Sequence, residues 1–446
     1  MTPKDLFMEK IVIKFGGSSL ASAEQIQKAA AIIRRHTESC YVVASAPGKR
    51  FPEDSKVTDL LYQAYDEAAD GKDFSTTLAK IRARFDDIVR ELRLELSLSA
   101  DYAEIENRLR RARERDFMAS RGEYLNSKIL AAYLGYPFVD PARAVVFREN
   151  GRLDAEKTDV RLRDALAGLT FAVIPGFYGA RPDGTVQTFS RGGSDVTGSL
   201  VAKAVRAKVY ENWTDVSGMK SADPRIVPNP RTIRVISFKE LRELSYMGAT
   251  VLHEDAVFPV REAGIPINVR NTNAPDEPGT IIVAESPADT ADAPITGIAG
   301  RKGFATIYIE KNMMNQEIGF GRKCLSVLED ANVSFEHMPS GIDTLSIIIN
   351  AAEFNAHRDE VLNGIESAVH PDSISYENDL ALIAVVGHGM MRKKGISARI
   401  FTALANAKVN IRMLNQGSSE LNIIIGIEEA DFETAIRAIY TAFYPA

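Results

Sequence analysis

Residues that could bind a phosphate group stand near the start of the chain, at Lys14-Phe15-Gly16-Gly17-Ser18-Ser19. The apolar run Ile11-Val12-Ile13 precedes them, and a helix follows, whose start is marked by Ser22 and Gln25 at the spacing of a capping box. Paired glycines let backbone N–H groups approach an anion, while the helix N-terminus and Lys14 add positive charge. The predicted chemistry is anion binding, although such turns also occur without ligands and the spacing fits neither G-x-x-x-x-G-K-[ST] nor G-x-G-x-x-G.

A second glycine turn of the same kind lies at Ser190-Arg191-Gly192-Gly193-Ser194-Asp195, before a helix predicted from Val196 to Ala207. The strand at 171–177 and the Asp-Gly pair of Pro182-Asp183-Gly184 predict a hairpin that leads into it. Arg191 can hold a carboxylate at two points. We expect the two turns to face each other across one crevice.

Further polar candidates follow predicted buried strands. The strand Tyr41–Ser45 runs into a small-residue turn at 46–49, and a helix that opens at Lys56 carries Thr58 near the same edge. The strand Val209–Trp213 ends at Thr214 and Asp215, where open α/β sheets bind nucleotides. The alternative for Asp215 is a loop aspartate that bonds to its own backbone.

A charged helical region from about 75 to 118 carries five arginines between 108 and 115. Because glutamates and aspartates are interleaved with them, a solvated helix face is favoured over a phosphate-binding patch. The region ends in Ser120–Asn126, predicted as the entry to a helix. Glu123 in this stretch could favour the helix dipole or hold an ammonium group.

Composition limits the function classes. The 446 residues are 45% hydrophobic and 26% charged, enough for two or three domains, and the net charge of −6 disfavours nucleic-acid binding. Cys40, Cys324 and six histidines are too few for a zinc cluster or a disulfide framework, so no protein-held metal is expected. Without an apolar leader or span, the expected location is the cytoplasm, with no membrane partner.

The C-terminal part reads as two βαββαβ units after a linker at 284–294. The first unit has one strand too many in front, and the second lacks its last strand. We therefore expect the strand at 295–301 to complete the second unit, which makes one unit an insertion in the other. The predicted elements are strands at 295–301, 305–310, 333–338, 344–350, 373–377, 380–386, 410–414 and 421–427, and helices at 321–331, 353–369, 396–407 and 431–443.

Four motifs occur in the order and spacing of the aspartate kinase family, which the chain resembles over nearly its whole length. They are K-F-G-G-S-S-L at 14–20, S-R-G-E-Y-L at 120–125, S-R-G-G-S-D at 190–195 and T-D-V-S-G-M-K-S-A-D-P-R at 214–225. The resemblance implies an α/β fold: an amino-acid-kinase-type αβα sandwich with a mainly parallel central sheet, followed by two α+β ferredoxin-like ACT domains. The implied domains are 1–283 (catalytic), 284–294 (linker), 304–378 (first ACT domain) and 295–303 with 379–446 (second ACT domain).

The same resemblance implies ATP-dependent phosphorylation of the β-carboxylate of L-aspartate, the first step towards lysine, threonine and methionine, with Mg²⁺ held mainly by the nucleotide phosphates. Lys14 would neutralise the moving phosphoryl group, and Asp195 would orient Lys14. Aspartate would be bound by Thr58, Glu123 and Arg191. The ATP contacts would be Lys14, Gly16, Gly17, Ser18, Ser45, Thr214, Asp215, Lys220 and Arg225.

The ACT repeats imply feedback by an end-product amino acid, with lysine the first choice and threonine the second, and a homodimer or higher homo-oligomer. The residues that resemble effector contacts are Gly319, Phe320, Gly321, Ser340, Gly341 and Asp343. Asp343 could pair with the effector's ammonium group. The alternative is that these glycines only form turns.

Two positions depart from the family pattern, since Thr250 stands where a lysine is common and Glu254 where a proline is. Lys220 stands where an aromatic residue is common, and we expect it to replace the missing cation near the nucleotide phosphates. Two other functions stay open: a catalytically inactive amino-acid sensor on the same fold, and a kinase of another acidic amino acid. A fused homoserine dehydrogenase is not expected after residue 443, so the family member would be monofunctional.

Overall fold

The computed structural model describes residues 9–111, 114–190, 192–249, 252, 254–285, 294–391 and 393–444. The chain divides into two compact units. Unit 1 takes its residues from Met1–Met219, Thr232–Phe238 and Val251–Glu285, and unit 2 from Lys220–Arg231, Lys239–Thr250 and Ser286–Ala446.

The first half of the chain alternates strands and helices. The strands are β1 (Lys10–Phe15), β2 (Ser39–Ala44), β3 (Phe171–Pro175), β4 (Tyr178–Ala180), β5 (Val186–Thr188), β6 (Val209–Thr214), β7 (Val235–Ser237), β8 (Ile267–Asn271) and β9 (Thr280–Val283). The helices are α1 (Ala23–Ile33), α2 (Val57–Ala69), α3 (Ser75–Glu91), α4 (Ser99–Leu109), α5 (Arg115–Leu134), α6 (Ala155–Ala165), α7 (Gly193–Val205), α8 (Phe238–Tyr246) and α9 (Glu254–Glu262). Of α8, only Phe238 belongs to unit 1.

Unit 1 is built on a seven-stranded sheet with the order β3-β2-β1-β6-β8-β9-β7. All neighbours are parallel except β8 and β9, which confirms the predicted mainly parallel sheet. Every residue of β2 is buried, as expected for an apolar strand covered on both faces. The carboxyl ends of β1, β2 and β6 therefore lie side by side at one edge of the sheet.

Three local predictions are refined. The Ser22 side chain caps α1 by accepting a hydrogen bond from the Gln25 backbone N–H at 3.4 Å. The Gln25 side-chain amide donates to Asn273 Oδ1 at 3.1 Å and not back to Ser22, so only half of the capping box forms. The stretch Ser120–Asn126 lies in the middle of α5 rather than at a helix entry. Helix α7 begins at Gly193, three residues before the predicted start, so Asp195 lies in its first turn.

Unit 2 contains a six-stranded antiparallel sheet with the order β11-β12-β10-β13-β15-β14. Its strands are β10 (Gly297–Glu310), β11 (Phe335–His337), β12 (Thr344–Asn350), β13 (Ser373–Val386), β14 (Met413–Asn415) and β15 (Asn422–Glu428). Its helices are α10 (Phe320–Asp330), α11 (Ala351–Val369), α12 (Ile396–Asn406) and α13 (Phe432–Phe443). Two apolar clusters form its cores, one around Ile307 and Phe354 and the other around Ile383 and Ile436.

The predicted division of β10 and of β13 into two strands each is wrong. The chain continues through both positions as one long strand, with register shifts between Arg301 and Thr306. Gly303 and Asp379 adopt positive φ values of 88° and 66°. These residues form irregularities within a ladder, where the sequence predicts turns.

Strand pairing follows the order that an inserted unit requires. Gly297–Arg301 pairs with Leu382–Val386, which in turn pairs with β15, while Phe304–Glu310 pairs with β12. This pairing supports the proposal that the 295–301 strand completes the second βαββαβ unit, whose boundaries stay a prediction. The predicted linker falls largely at 286–293, outside the described residues. No helix in the described part of the chain is both long enough and apolar enough to cross a membrane.

Candidate active site

The first glycine turn leaves backbone donors available. The Gly16 N–H donates to the Trp213 carbonyl at 2.9 Å, and the carbonyls of Gly16 and Gly17 accept from Ser19 and Leu20. Among the described residues, no hydrogen bond uses the N–H groups of Gly17 and Ser18. Two adjacent free N–H groups at the carboxyl end of a buried strand can bind an oxyanion.

The turn after β2 packs directly against this first turn. The Gly48 N–H donates to the Gly17 carbonyl at 2.8 Å, and a Cβ on Gly48 would lie 2.6 Å from the Gly17 carbonyl carbon. The Ser45 N–H donates to Phe15 at 3.2 Å, and the Ser45 carbonyl accepts from the Asn126 amide at 2.7 Å. The structure thus brings Gly16, Gly17, Ser18 and Ser45 together.

Lys14 and Asp195 form a largely buried ion pair between the two glycine motifs. Lys14 Nζ lies 2.6 Å from Asp195 Oδ1, and the side chains are only 9% and 17% exposed. The same Oδ1 accepts a hydrogen bond from Asn212 Nδ2 at 2.7 Å. Lys14 on β1 pairs in register with Asn212 on β6, so both donors reach one carboxylate at the start of α7. The predicted contact between the two motifs is present.

Asn212 is a site residue that the sequence reasoning missed. It is a polar residue, 2% exposed, in a strand otherwise predicted from its buried apolar character. A buried amide needs hydrogen-bond partners, and that requirement was the available signal.

Glu123 is buried in the interior of α5, eight residues after its start. The helix-dipole alternative for Glu123 is therefore wrong, because that effect is confined to the first turn. Burial raises the pKa of Glu123 to about 8, against the N–H of Ala46 and the charges of Arg121 and Lys14, which lower it. Its Oε2 has no hydrogen-bond partner among the described residues. Such a carboxyl group suits a cation brought by a ligand.

The other predicted substrate contacts are Thr58 and Arg191. Thr58 is half-buried in the first turn of α2, and the Val57 N–H beside it donates to the Pro47 carbonyl at 3.2 Å. This bond fixes the start of α2 to the turn after β2. Arg191, like Thr250 of the departing motif, lies outside the described residues.

Thr214 is the last residue of β6 and Asp215 follows it, at the strand end that the sequence predicts. The Thr214 hydroxyl donates to the Asp215 carboxylate at 3.1 Å, and the Thr214 carbonyl accepts from the Thr272 N–H at 2.9 Å. Asp215 is exposed. Both side chains are free of the ion-pair network around Lys14 and stand where a nucleotide could reach them.

Two predicted ATP contacts, Lys220 and Arg225, belong to unit 2. The exposed Arg225 guanidinium binds Asp223 in its own turn, with contacts of 2.7 to 3.1 Å. These bonds hold the pKa of Asp223 below its ordinary value. Lys220 is half-buried and engaged within the fold. Their nucleotide contacts stay a prediction.

The predicted effector residues lie at one end of the first βαββαβ unit. Gly319 adopts a φ of 82° before α10, and Phe320 is buried with Lys311 Nζ 5.8 Å from its ring. Asp343 is exposed, and its Oδ1 accepts a hydrogen bond from the Met313 N–H at 2.9 Å. The remaining predicted members are Gly321, Ser340 and Gly341, of which Ser340 forms an isolated bridge with Leu345.

An ion-pair cluster beside these residues was not predicted. Glu317 lies 2.6 Å from both Lys311 and Lys323, whose hydrogen bonds lower its pKa to about 2. Lys311, Glu317 and Lys323 do not form a recognisable sequence motif, so the sequence offered no signal beyond their charge.

The described members of the arginine run are mostly solvated, but they do not share one helix face: Arg108 lies in the last turn of α4, Arg110 and Arg111 follow that helix, and Arg115 begins α5. Arg108 pairs with Glu104, and Arg110 with Glu106, at helical spacing. Cys40 and Cys324 are free and buried, and burial raises the pKa of both thiols, that of Cys324 to about 11. Across the described ranges, no group of three or more His, Cys, Asp or Glu side chains could hold a metal ion.

Comparisons with known proteins agree over nearly the full length. Residues 9–271 match the amino acid kinase family, and residues 383–443 match an ACT domain. Aspartokinase 3 of Bacillus subtilis is 39% identical, over 97% of this chain and 98% of that protein. Aspartokinase 1 of Arabidopsis thaliana chloroplasts is 28% identical, over 97% of this chain and 80% of that protein.

Solved structures extend the comparison to the fold. The crystal structure of aspartate kinase from Clostridium acetobutylicum, described as an allosteric enzyme, has a TM-score of 0.88 and 47% identity, covering 98% of this chain and all of that one. E. coli aspartokinase III in complex with aspartate and ADP has a TM-score of 0.73 at 23% identity, covering 97% and 99% of the two chains. The second likeness is one of fold.

Proposed function

We infer that this chain, which belongs to the amino acid kinase family and within it to the aspartokinases, is an ATP-dependent kinase of aspartate. The reaction we propose moves the γ-phosphoryl group of ATP to the β-carboxylate of L-aspartate and yields 4-phospho-L-aspartate and ADP. The observation that carries this proposal is the buried Lys14–Asp195 pair, which joins two glycine turns at one edge of the sheet.

The chemistry needs positive charge rather than a base. A carboxylate nucleophile is already ionised at neutral pH, so the barrier lies in bringing an anion to an anion and in positioning the two groups. Lys14 would neutralise the transferring group, and Asp195 would hold Lys14 in place. The free N–H groups of Gly17 and Ser18, beside Ser45, would bind the phosphate oxygens.

L-Aspartate would be held by its two ends. Glu123 offers a buried carboxylate with one unpartnered oxygen for the substrate ammonium group. Arg191 would bind a substrate carboxylate, and Thr58 would help to seat the substrate. Among these, the burial of Glu123 gives the strongest support, because an uncompensated buried carboxylate favours a cationic ligand.

On the nucleotide side we propose contacts from Thr214, Asp215, Lys220 and Arg225. Asp195 Oδ1 is already engaged by Lys14 and Asn212, so we expect Mg²⁺ to arrive with the nucleotide and to be held mainly by phosphate oxygens. When bound, Mg²⁺ would offset negative charge on the phosphates.

We further propose regulation by an end-product amino acid, lysine first and threonine second, at Gly319, Phe320, Gly321, Ser340, Gly341 and Asp343. The reaction would then be the first step towards lysine, threonine and methionine. A homodimer through the ACT units is also proposed. Met313, Ile318 and Ile342 support it, because these apolar side chains are 60%, 97% and 70% exposed.

The testing experiment measures ADP release from ATP with L-aspartate and with L-glutamate, each with and without lysine or threonine. We expect turnover with aspartate alone and inhibition by lysine. Turnover with glutamate would favour the kinase of another acidic amino acid. No turnover with either substrate, together with measurable lysine binding, would favour the inactive sensor.

A further inference from the structure

Arg84 is a buried arginine that contacts the turn after β1 and the turn after β2. It lies on α3 and is 6% exposed. Its Nη2 donates to the Ala21 carbonyl at 2.9 Å and to the Gly48 carbonyl at 2.6 Å, and its Nη1 donates to Asp54 Oδ2 at 2.6 Å. One guanidinium therefore joins three points of the chain that come before it by 30 to 63 residues.

Two of these acceptors lie at the ends of the turns that follow β1 and β2, and the first of these turns carries the free N–H groups of Gly17 and Ser18. Ala21 closes the short helical turn Ser18–Leu20, which follows Gly17. Gly48 is held from both sides, because its N–H donates to Gly17 and its carbonyl accepts from Arg84. Arg84 thus fixes the distance between the turn after β1 and the turn after β2.

The environment of Arg84 is costly to build, which argues against a chance contact. Burial lowers the pKa of the guanidinium, while Asp54 counteracts this effect. Asp54 itself is bound by Arg50 and by Arg84, which hold its pKa well below the ordinary value. Arg84 Nε has no partner among the described residues. An apolar side chain could fill this space without any of these requirements.

We propose that Arg84 is a positioning residue for the nucleotide: it holds the Gly17–Ala21 turn against the Ser45–Gly48 turn, so that the free N–H groups of Gly17 and Ser18 face the ATP phosphates. This inference rests on the proposed kinase function. Arg84 is not placed to bind substrate, because its Nη groups donate to backbone carbonyls and to Asp54 and its Nε is buried. It acts on turnover only through the turns that it joins.

The test compares Arg84→Lys and Arg84→Ala with the unaltered chain. Because a lysine keeps the charge but cannot span three acceptors in fixed geometry, we expect both variants to bind ATP more weakly. The KM for ATP should rise about tenfold. This rise corresponds to a loss of roughly 1.5 kcal/mol of ATP-binding free energy when the charge-assisted hydrogen bonds of Arg84 are removed. The KM for aspartate should stay within about twofold. Free guanidinium at millimolar concentration should restore part of the ATP affinity of Arg84→Ala.

Ile88→Ala supplies the matched control for stability. Ile88 is buried on the same helix, in the apolar core, and its side chain has no group that could hydrogen-bond to either turn. It should lower the melting temperature while leaving the KM for ATP unchanged. Equal changes of both KM values in the Arg84 variants, no change in either, or loss of folding in Arg84→Lys as well as Arg84→Ala, would overturn the proposal.

Direct calorimetry of ATP binding separates this inference from the proposed function. If the unaltered chain binds ATP but does not phosphorylate aspartate, the kinase proposal fails and the effect of Arg84 on binding is still measured. If turnover occurs and Arg84→Lys binds ATP normally, only the positioning role fails.

Discussion

Lys14 and Asn212 are neighbours on two parallel strands, and both donate to the same oxygen, Oδ1 of Asp195, at 2.6 and 2.7 Å. The carboxylate is thereby fixed from two directions, and its hold on Lys14 has one defined geometry. In the proposed reaction, Lys14 must neutralise the negative charge of the phosphoryl group as that group moves from ATP to aspartate. The position of Asp195 therefore matters as much as its charge.

Asn212→Leu should slow turnover without weakening aspartate binding. The change removes one hydrogen bond to Asp195, a loss of about 1 kcal/mol, so kcat should fall about fivefold. The KM for aspartate should stay constant, because the Asn212 amide donates to Asp195 and not to Glu123. Steady-state kinetics at saturating ATP measure both values.

Asn268→Leu is the control for Asn212→Leu, since Asn268 lies on the neighbouring strand β8, opposite Glu211, and its Oδ1 has no hydrogen-bond partner among the described residues. It should leave kcat unchanged. An equal loss in both variants would mean that Asn212 supports the sheet rather than the Lys14–Asp195 pair.

Glu123 should make aspartate binding depend on pH. Its pKa of about 8 means that below this value the folded protein carries the neutral carboxyl group, which binds an ammonium group poorly. The KM for aspartate should fall about tenfold for each pH unit gained between pH 6 and pH 8, then level off. In Glu123→Gln, the KM should be high and flat. An unchanged profile in that variant would exclude Glu123 as the ammonium partner.

Glu123 should also affect stability in a predictable direction. An unfolded glutamate ionises near pH 4.5, whereas the folded group keeps its proton up to about pH 8. Stability contributed by this group is therefore present at low pH and lost as pH rises through that window. Glu123→Gln should melt higher than the unaltered chain at pH 8.5, and the difference should vanish near pH 4.5. Thermal unfolding without ligands measures it.

Lys220 is expected to support ATP binding in place of the cation missing at Thr250. Lys220→Ala should raise the KM for ATP severalfold and leave the KM for aspartate nearly unchanged. Lys239→Ala offers a comparison, because it removes an exposed lysine of the same unit. Equal effects of Lys220→Ala on both KM values would refute the replacement.

Much of this architecture could be predicted because it rests on local pattern. Apolar runs gave the strands β1, β2 and β12, and glycine turns after two of the strands located Lys14 and Asp195. These features depend on residues close together in sequence, where periodicity and turn chemistry are informative. The motif around Glu123 was predicted as a helix entry, but it lies in the middle of α5, with Gly122 beside Glu123. Gly122 is needed for a close contact, since a Cβ there would lie 2.7 Å from the Ala46 Cβ.

What escaped prediction depends on contacts across long stretches of chain. Arg84 reaches an acceptor 63 residues away, and Asn212 meets a carboxylate 17 residues away. In each case the residue type indicated only that a buried polar group needs a partner, while the fold decided which one. The continuity of β10 and β13 could not be predicted for a related reason, because bulges and turns favour the same residue types.

Two aspartates in the effector region make the same kind of backbone contact. Asp343 Oδ1 accepts from the Met313 N–H at 2.9 Å, and Asp372 Oδ2 accepts from the neighbouring Asn312 N–H at 2.7 Å. Only Asp343 is proposed to bind an effector. The pair therefore separates loss of a loop contact from loss of an effector contact.

Asp343→Ala should abolish inhibition by lysine and spare uninhibited turnover, because the exposed carboxylate would pair with the effector's ammonium group and lies outside unit 1. Asp372→Ala removes an equivalent loop bond and should leave the inhibition constant within about threefold, the effect of losing one exposed hydrogen bond of roughly 0.5 kcal/mol. Inhibition curves for lysine and for threonine, taken at fixed ATP and aspartate, measure both variants. Since Asp343 also anchors the Met313 loop, equal loss of inhibition in the two variants would assign the effect to loop geometry. Lost catalysis with intact inhibition in Asp343→Ala would contradict the effector assignment altogether.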